Sequence, residues 1–243
     1  MQHADRTRPA PRLRPDGSRR RPAGPSGRAR WALLALVASL CACSQASRTT
    51  VDTLRLVAGG QQVQVPTAEE IAASPYARIH VEGGGLSSVM VLGNDDAGRL
   101  AWYGGGGYLL FLRDGLVAGS RGLAHDADDI RIEGDNPFLR LATLGDAPVT
   151  VARRYDWREG YRYGVAVEGR LQRRGTQTVE ILGTPRTLVH FEETLSGPGV
   201  RGSNHYWADP ATGFIWKSRQ LVAPGTTLEI VQLKPYARSG VGG

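Results

Sequence analysis

Apolar and polar positions alternate along Tyr161-Arg-Tyr163-Gly-Val165-Ala-Val167-Glu-Gly169-Arg-Leu171, with the odd positions apolar and the even ones mostly polar or small. Successive side chains on a strand point to opposite faces, so this segment predicts a strand with one buried and one wet face. Val149, Val151, Tyr155 and Trp157 carry the same parity on the strand before it, with residues 158–160 as the turn between them. Shorter apolar runs at 86–92, 108–112 and 116–118 are separated by Gly-Asn-Asp, Gly-Gly-Gly and Arg-Asp-Gly turn signals. Runs at 179–182, 188–194, 205–209, 214–222 and 228–233 bring the expectation to roughly ten or more strands. In the Asp209-Pro-Ala-Thr-Gly213 turn, Pro210 fixes φ and Gly213 supplies a positive φ, which pins the register of the strands on either side. One short helix is predicted near residues 67–74: Thr67 and Glu70 form a capping box after Pro66, and Pro75 stops the helix within two turns. Sustained helical periodicity and βαβ spacing are absent, which points to a mostly β fold and argues against a doubly wound enzyme fold.

The N-terminal segment has a different pattern. Arg28 and Arg30 precede an apolar run from Trp31 to Leu40, and small Ala42 precedes Cys43. This resembles a bacterial lipobox, which implies cleavage between Ala42 and Cys43 and acylation of Cys43 by chains of the palmitate type. Cys41 follows bulky Leu40 and fits the cleavage rule poorly. The run is shorter than the roughly 20 apolar residues of a spanning helix, so the expected membrane connection is lipid. Three acyl chains anchor firmly where one is marginal, and Ser44 is compatible with transport to the outer membrane. The expected organisation is a signal peptide with a disordered basic extension over 1–42, a lipidated cysteine and tether over 43–53, a single β-rich domain over 54–236 and a flexible tail over 237–243.

Cleavage changes the charge picture. Residues 1–42 hold nine arginines against Asp5 and Asp16, a net of +7 that equals the formal charge of the whole chain. The mature chain is then balanced, and the basic excess carries no argument for nucleic-acid binding. With Cys41 removed and Cys43 acylated, no thiol remains for a disulfide, so stability must come from the core.

The stretch Asn204-His-Tyr206-Trp207-Ala-Asp209-Pro-Ala-Thr-Gly213-Phe-Ile-Trp216-Lys-Ser218-Arg-Gln220, followed by Leu233-Lys-Pro235, resembles the group 4 capsule polysaccharide lipoprotein family, also called YjbF or GfcB. Pro75-Tyr76-Ala77, Trp102 before a Gly-rich turn, Gly115 with the later 119–123 segment, and Tyr155-Asp156-Trp157 extend the resemblance over about residues 54–235. It implies an outer-membrane lipoprotein facing the periplasm, built of coiled, bifurcated antiparallel β-sheets and associated with export or assembly of capsule or extracellular polysaccharide, without catalysis or cofactor. The implied partners are a capsule-export β-barrel, a periplasmic capsule protein and the polysaccharide itself. His125-Asp-Ala-Asp-Asp129 departs from the family pattern. Aromatic hairpins with this kind of turn also occur in periplasmic half-barrels of the LolA, LolB and RseB kind, so lipid or lipoprotein binding is the alternative.

Candidate chemistry is sparse. Ala118-Gly-Ser120-Arg-Gly122 lacks the first glycine of a nucleophile elbow and its strand-to-helix context. His125, Asp126, Asp128 and Asp129 invite a metal reading, but an EF-hand register from Asp126 places Arg131 at the glycine position and Pro137 at the bidentate glutamate. Glu192 and Glu193 are adjacent and face opposite sides of a strand, so they cannot work as a carboxylate pair. Between Asp114 and Asp146 there are seven acidic and three basic residues; between Val149 and His190, eight arginines and four acids. Arg154, Arg162 and Arg170 fall on the polar side of the alternating strands, where guanidinium groups suit uronate or phosphate. Trp102, Tyr155, Trp157, Tyr206, Trp207 and Trp216 are candidates to stack on sugar rings or to line an apolar groove.

Overall fold

A computed structural model describes residues 65–237. The one α-helix among them, α1 (Ala68–Ala73), begins at the capping box: Thr67 Oγ1 accepts from the Glu70 amide at 3.3 Å, and the Thr67 amide donates to Glu70 Oε2 at 2.8 Å. Its apolar contribution is Ile71, which is buried. Two orphan carbonyls at its C-terminal end, those of Ala72 and Ser74, accept from Lys234 Nζ.

Twelve strands follow: β1 (Arg78–Gly83), β2 (Leu86–Asp96), β3 (Arg99–Tyr103), β4 (Leu109–Arg113), β5 (Leu116–Arg121), β6 (Asp129–Glu133), β7 (Val149–Trp157), β8 (Arg162–Ile181), β9 (Thr184–Gly197), β10 (Val200–Ala208), β11 (Ile215–Ala223) and β12 (Thr226–Lys234). They form one antiparallel sheet in the order β5-β4-β3-β2-β1-β12-β11-β10-β9-β8-β7-β6. The chain meanders outward from β1 to β5, crosses to the opposite edge, and meanders back until β12 lies beside β1, with Val81 opposite Ile230. The two edge strands are therefore consecutive in sequence, and the connection between them folds back on β5, where the Ser120 amide donates to the Ala127 carbonyl at 2.8 Å, before entering β6. The sheet is a nearly closed barrel with one incomplete seam.

A barrel of this many strands has room for a lumen, but here the walls touch. Trp157 Nε1 on β7 donates to the Val222 carbonyl on β11 at 2.8 Å. One apolar cluster gathers Met90, Trp102, Tyr155, Trp157, Leu195 and Leu228. A second, containing Val151, Leu171, Phe191, Tyr206 and Ile215, is roofed by Phe138 and Leu141 from a 3-10 helix (Pro137–Thr143).

Three strands, β1, β3 and β6, were not predicted. Each is short and charged at its first residue, and pairing with long neighbours fixes it where local pattern is weak. The runs at 161–171 and 179–182 belong to one strand, β8, whose polar middle extends beyond the core against β9. The expected parity holds from Val165 onward but fails at Tyr161 and Tyr163, which are 86% and 54% exposed. Tyr161 lies in a 3-10 turn (Glu159–Tyr161) ahead of β8, and a bulge explains Tyr163: Tyr155 pairs with Val165, but Trp157 pairs with Arg162, so β8 carries an extra residue that reverses its facing. The turn at 209–213 is as predicted: Asp209 Oδ1 accepts from the amides of Ala211 and Thr212 at 3.0 and 2.9 Å, and Gly213 has φ 75.

Candidate functional site

The even parity of β7 faces solvent and the odd parity faces the interior, and Arg153 stands at an odd position between Val151 and Tyr155. It is 2% exposed, and Glu193 on β9 is fully buried. Arg153 Nε donates to Glu193 Oε1 at 2.6 Å and Nη2 donates to Oε2 at 2.8 Å, a bidentate pair. Glu193 Oε2 also accepts from the Tyr206 hydroxyl at 2.9 Å and from Asn204 Nδ2 at 3.0 Å. Asn204 Oδ1 in turn accepts from the Leu221 amide at 2.7 Å. Burial alone would lower the pKa of Arg153, but the Glu193 carboxylate outweighs it and holds the guanidinium above its ordinary value. Burial, and then the same carboxylate, push the Tyr206 hydroxyl well up. Tyr155 is pushed up to about 12, chiefly by burial. Room for the carboxylate comes from Gly169, where a Cβ would lie 2.2 Å from Glu193 Oε1.

Arg153 also lines the open part of the seam, a cleft of about 360 Å³ between β5 and β6. Its polar lining is Arg99, Arg113, Asp114, Asp129, Arg131, Asn136 and Arg153. Arg131 is paired to Asp129 at 2.6 Å and Asp156 at 2.8 Å. Asp156 stays below the usual carboxylate range despite its partial burial, because the Gly164 amide and Arg131 stabilise its charge. Arg99 and Arg113 lie directly opposite each other on β3 and β4. The apolar side of the cleft is held by Gln220 of β11, which accepts from the Val117 amide at 3.0 Å and donates to the Gly115 carbonyl at 3.0 Å.

The residues singled out in the sequence are dispersed by the fold. Trp102, Tyr155, Trp157 and Tyr206 occupy inward positions and are at most 2% exposed, so they are core residues and present no surface. Trp207 and Trp216 are half-buried on the outer face, and their rings are already covered. Trp207 stacks on His190 at 5.0 Å with Lys217 over the ring at 5.4 Å, and Arg186 sits 3.7 Å over Trp216. Gln177 Oε1 accepts from Trp207 Nε1, and His190 meets His205 at 3.1 Å; burial and then His205 lower the His190 pKa. Of the three arginines, Arg154 is bound to Glu133 at 2.9 and 3.0 Å, Arg162 reaches the Pro198 carbonyl and lies over Trp157, and Arg170 is exposed with no partner among the described residues.

Every group of the acidic 125–129 segment has a structural task. Asp126 accepts from Ser120 Oγ and from the amides of Gly122 and Leu123, Asp128 pairs with Arg121 and Arg158, and His125 contacts Glu159. No cluster with metal-ligand geometry occurs among the described residues. Glu192 faces outward to Arg174 at 3.0 Å while Glu193 faces inward, as their adjacency requires. Ala42 and Cys43 lie outside the described residues.

The sequence reading missed Arg99, Arg113, Arg153 and Glu193. For Arg153 a signal existed, since a charge at an inward position demands an internal partner. For Arg99 and Arg113 none did, because their proximity arises from cross-strand pairing.

Comparison with known proteins places these features in context. Residues 51–233 match the family model described as "Group 4 capsule polysaccharide lipoprotein gfcB, YjbF". The chain is 23% identical over 201 residues to the uncharacterized lipoprotein GfcB of Escherichia coli strain K12, covering 81% of this chain and 94% of that protein. The crystal structure of the hypothetical lipoprotein YmcC from Escherichia coli K12 superimposes with a TM-score of 0.63 at 23% identity, covering 77% of this chain and 96% of that one, and shares the fold.

Proposed function

Because the chain belongs to the group 4 capsule polysaccharide lipoprotein family, we propose that its mature form is an outer-membrane lipoprotein, acylated at Cys43 and facing the periplasm. There it serves as a non-catalytic accessory of capsule or extracellular polysaccharide export or assembly. It works by contact, with a capsule-export β-barrel and a periplasmic capsule protein as partners and with the polysaccharide itself. The family match over most of the chain is the observation that carries this reading. The interior supports it against the lipid-carrier alternative: an acyl-chain carrier needs a continuous apolar cavity, whereas here the walls meet at Trp157 and Val222 and the cleft that opens inward is lined by four arginines.

The test is deletion of the gene under conditions in which its locus is expressed, with surface polysaccharide measured on whole cells. Surface polysaccharide is expected to fall and to return on complementation with the wild-type gene. Unchanged polysaccharide in the deletion strain would overturn the export role.

A further inference from the structure

We propose that the seam cleft is a carboxylate-recognition site for an acidic saccharide. The choice of a saccharide rests on the polysaccharide role proposed above; the choice of an acidic group rests on the cleft.

Arg99 and Arg113 are directly opposite each other on adjacent strands. Like charges in that position are destabilising, and among the described residues neither guanidinium has a carboxylate within ion-pair distance. Arg99 is held over the ring of Phe111 at 3.7 Å, which fixes its position without neutralising its charge. The approach is built into the backbone: at Gly119 of β5 a Cβ would lie 3.2 Å from Arg99 Nη2 and 3.2 Å from the Asp128 carbonyl, so a side chain there would crowd the guanidinium against the seam. The other lining cation at the rim, Arg131, is already satisfied by Asp129 and Asp156.

Arg153 also lines the cleft, but it is buried and already engaged with Glu193 and Tyr206. An arginine fork matches a carboxylate bidentately, so the unpaired guanidiniums of Arg99 and Arg113 suit one carboxylate between them. Asp114 and Asn136 beside them, joined by a 3.4 Å bond from Asn136 Nδ2 to Asp114 Oδ2, leave the other Asp114 oxygen as an acceptor of the kind that bonds sugar hydroxyls. That mixture suits a carboxylate surrounded by hydroxyls better than a bare inorganic anion. At about 360 Å³ the space is at the small end of ligand pockets, so it takes one acidic residue of a glycan and leaves the rest of the chain outside.

The experiment is isothermal titration of the full-length protein, purified in detergent, with trigalacturonate, with maltotriose as the neutral match and with inorganic phosphate. Trigalacturonate is expected to bind with an affinity that falls as salt is raised, and maltotriose to give no heat. The Arg99→Gln, Arg113→Gln double variant is expected to weaken trigalacturonate by about tenfold or more. Arg201→Gln, exposed on β10 and away from the cleft, is expected to leave it unchanged, and the Arg99→Lys, Arg113→Lys variant, which keeps the charges, to fall between. Equal binding of the two sugars, phosphate binding as tightly as trigalacturonate, insensitivity to the glutamine variant, or no binding would each overturn the site. Absent binding in a chain whose deletion strips surface polysaccharide would overturn the cleft alone. Binding as expected beside a deletion strain with normal polysaccharide would overturn the export role and leave the cleft.

Discussion

Arg153 shows how one residue sets conflicting demands. Taking a guanidinium and a carboxylate out of water costs several kcal/mol per ion, and their attraction repays it only if the remaining donors and acceptors are also satisfied. Glu193 meets that condition with four accepted hydrogen bonds from Arg153, Asn204 and Tyr206. Removing one partner should therefore cost far more than removing both. We expect Arg153→Met to lose about 3–5 kcal/mol of stability, and Arg153→Met with Glu193→Leu to regain much of it; urea midpoints of the two single variants and the double variant give the coupling. Additive losses would mean that the pair is not the unit argued here. The tyrosines beside it make the molecule sensitive to alkali. Tyr155 and Tyr206 have pKa values raised above the unfolded value of about 10, so the folded state keeps protons that the unfolded chain releases. The stability this provides is fully present below about pH 10 and is lost as pH rises through about 12. Urea midpoints measured between pH 9 and pH 12 should fall over that window, and in Tyr206→Phe, which keeps no hydroxyl to titrate, they should fall less.

At the scale of elements, the weak point of a nearly closed sheet is its pair of edges, since unpaired strand backbone is a template for aggregation. β5 is protected by a side chain in place of a strand: Gln220 accepts from the Val117 amide, donates to the Gly115 carbonyl and is itself braced by Ser218 Oγ at 2.9 Å. Gln220→Ala would strand Val117 N–H and the Gly115 carbonyl, each at a cost of about 1–3 kcal/mol. We expect faster amide exchange at Val117 with little change across the β1–β12 joint, and a larger aggregating fraction. Uniform exchange changes over all strands would contradict the local clamp. The strands themselves were legible in the sequence wherever a long alternating run met a strong turn signal, as at 149–171 and 205–222. β1, β3 and β6 were not: each opens on a charge, unlike β4 and β5 of the same length, which open on apolar runs, so only pairing with neighbours fixes them. The cleft was illegible for the same reason: parity marks Arg153 as inward, but only the register that sets Arg99 beside Arg113 brings the unpaired charges together.

For the whole molecule, the proposed anchor and the described fold lie in different parts of the chain. The described body has no cysteine, since Cys41 and Cys43 both precede it, and none of its helices is long and apolar enough to cross a membrane. Its strength is in twelve strands and two apolar clusters, independent of any lipid. If Cys43 carries the anchor, Cys43→Ser should separate location from stability. Each buried methylene of an acyl chain contributes about 0.8 kcal/mol to membrane attachment, and losing them all should move the protein from the membrane pellet to the soluble fraction. The urea midpoint should stay within error of wild type, because no contact inside the β body is touched. Surface polysaccharide should fall as far as in the deletion strain, since a detached body is diluted away from the bilayer where the proposed export partners would sit. A Cys43→Ser protein that stays in the membrane pellet would show that attachment runs through protein contacts and not through the thiol. One that leaves the membrane and still supports full surface polysaccharide would show that contact with partners or glycan suffices without the anchor.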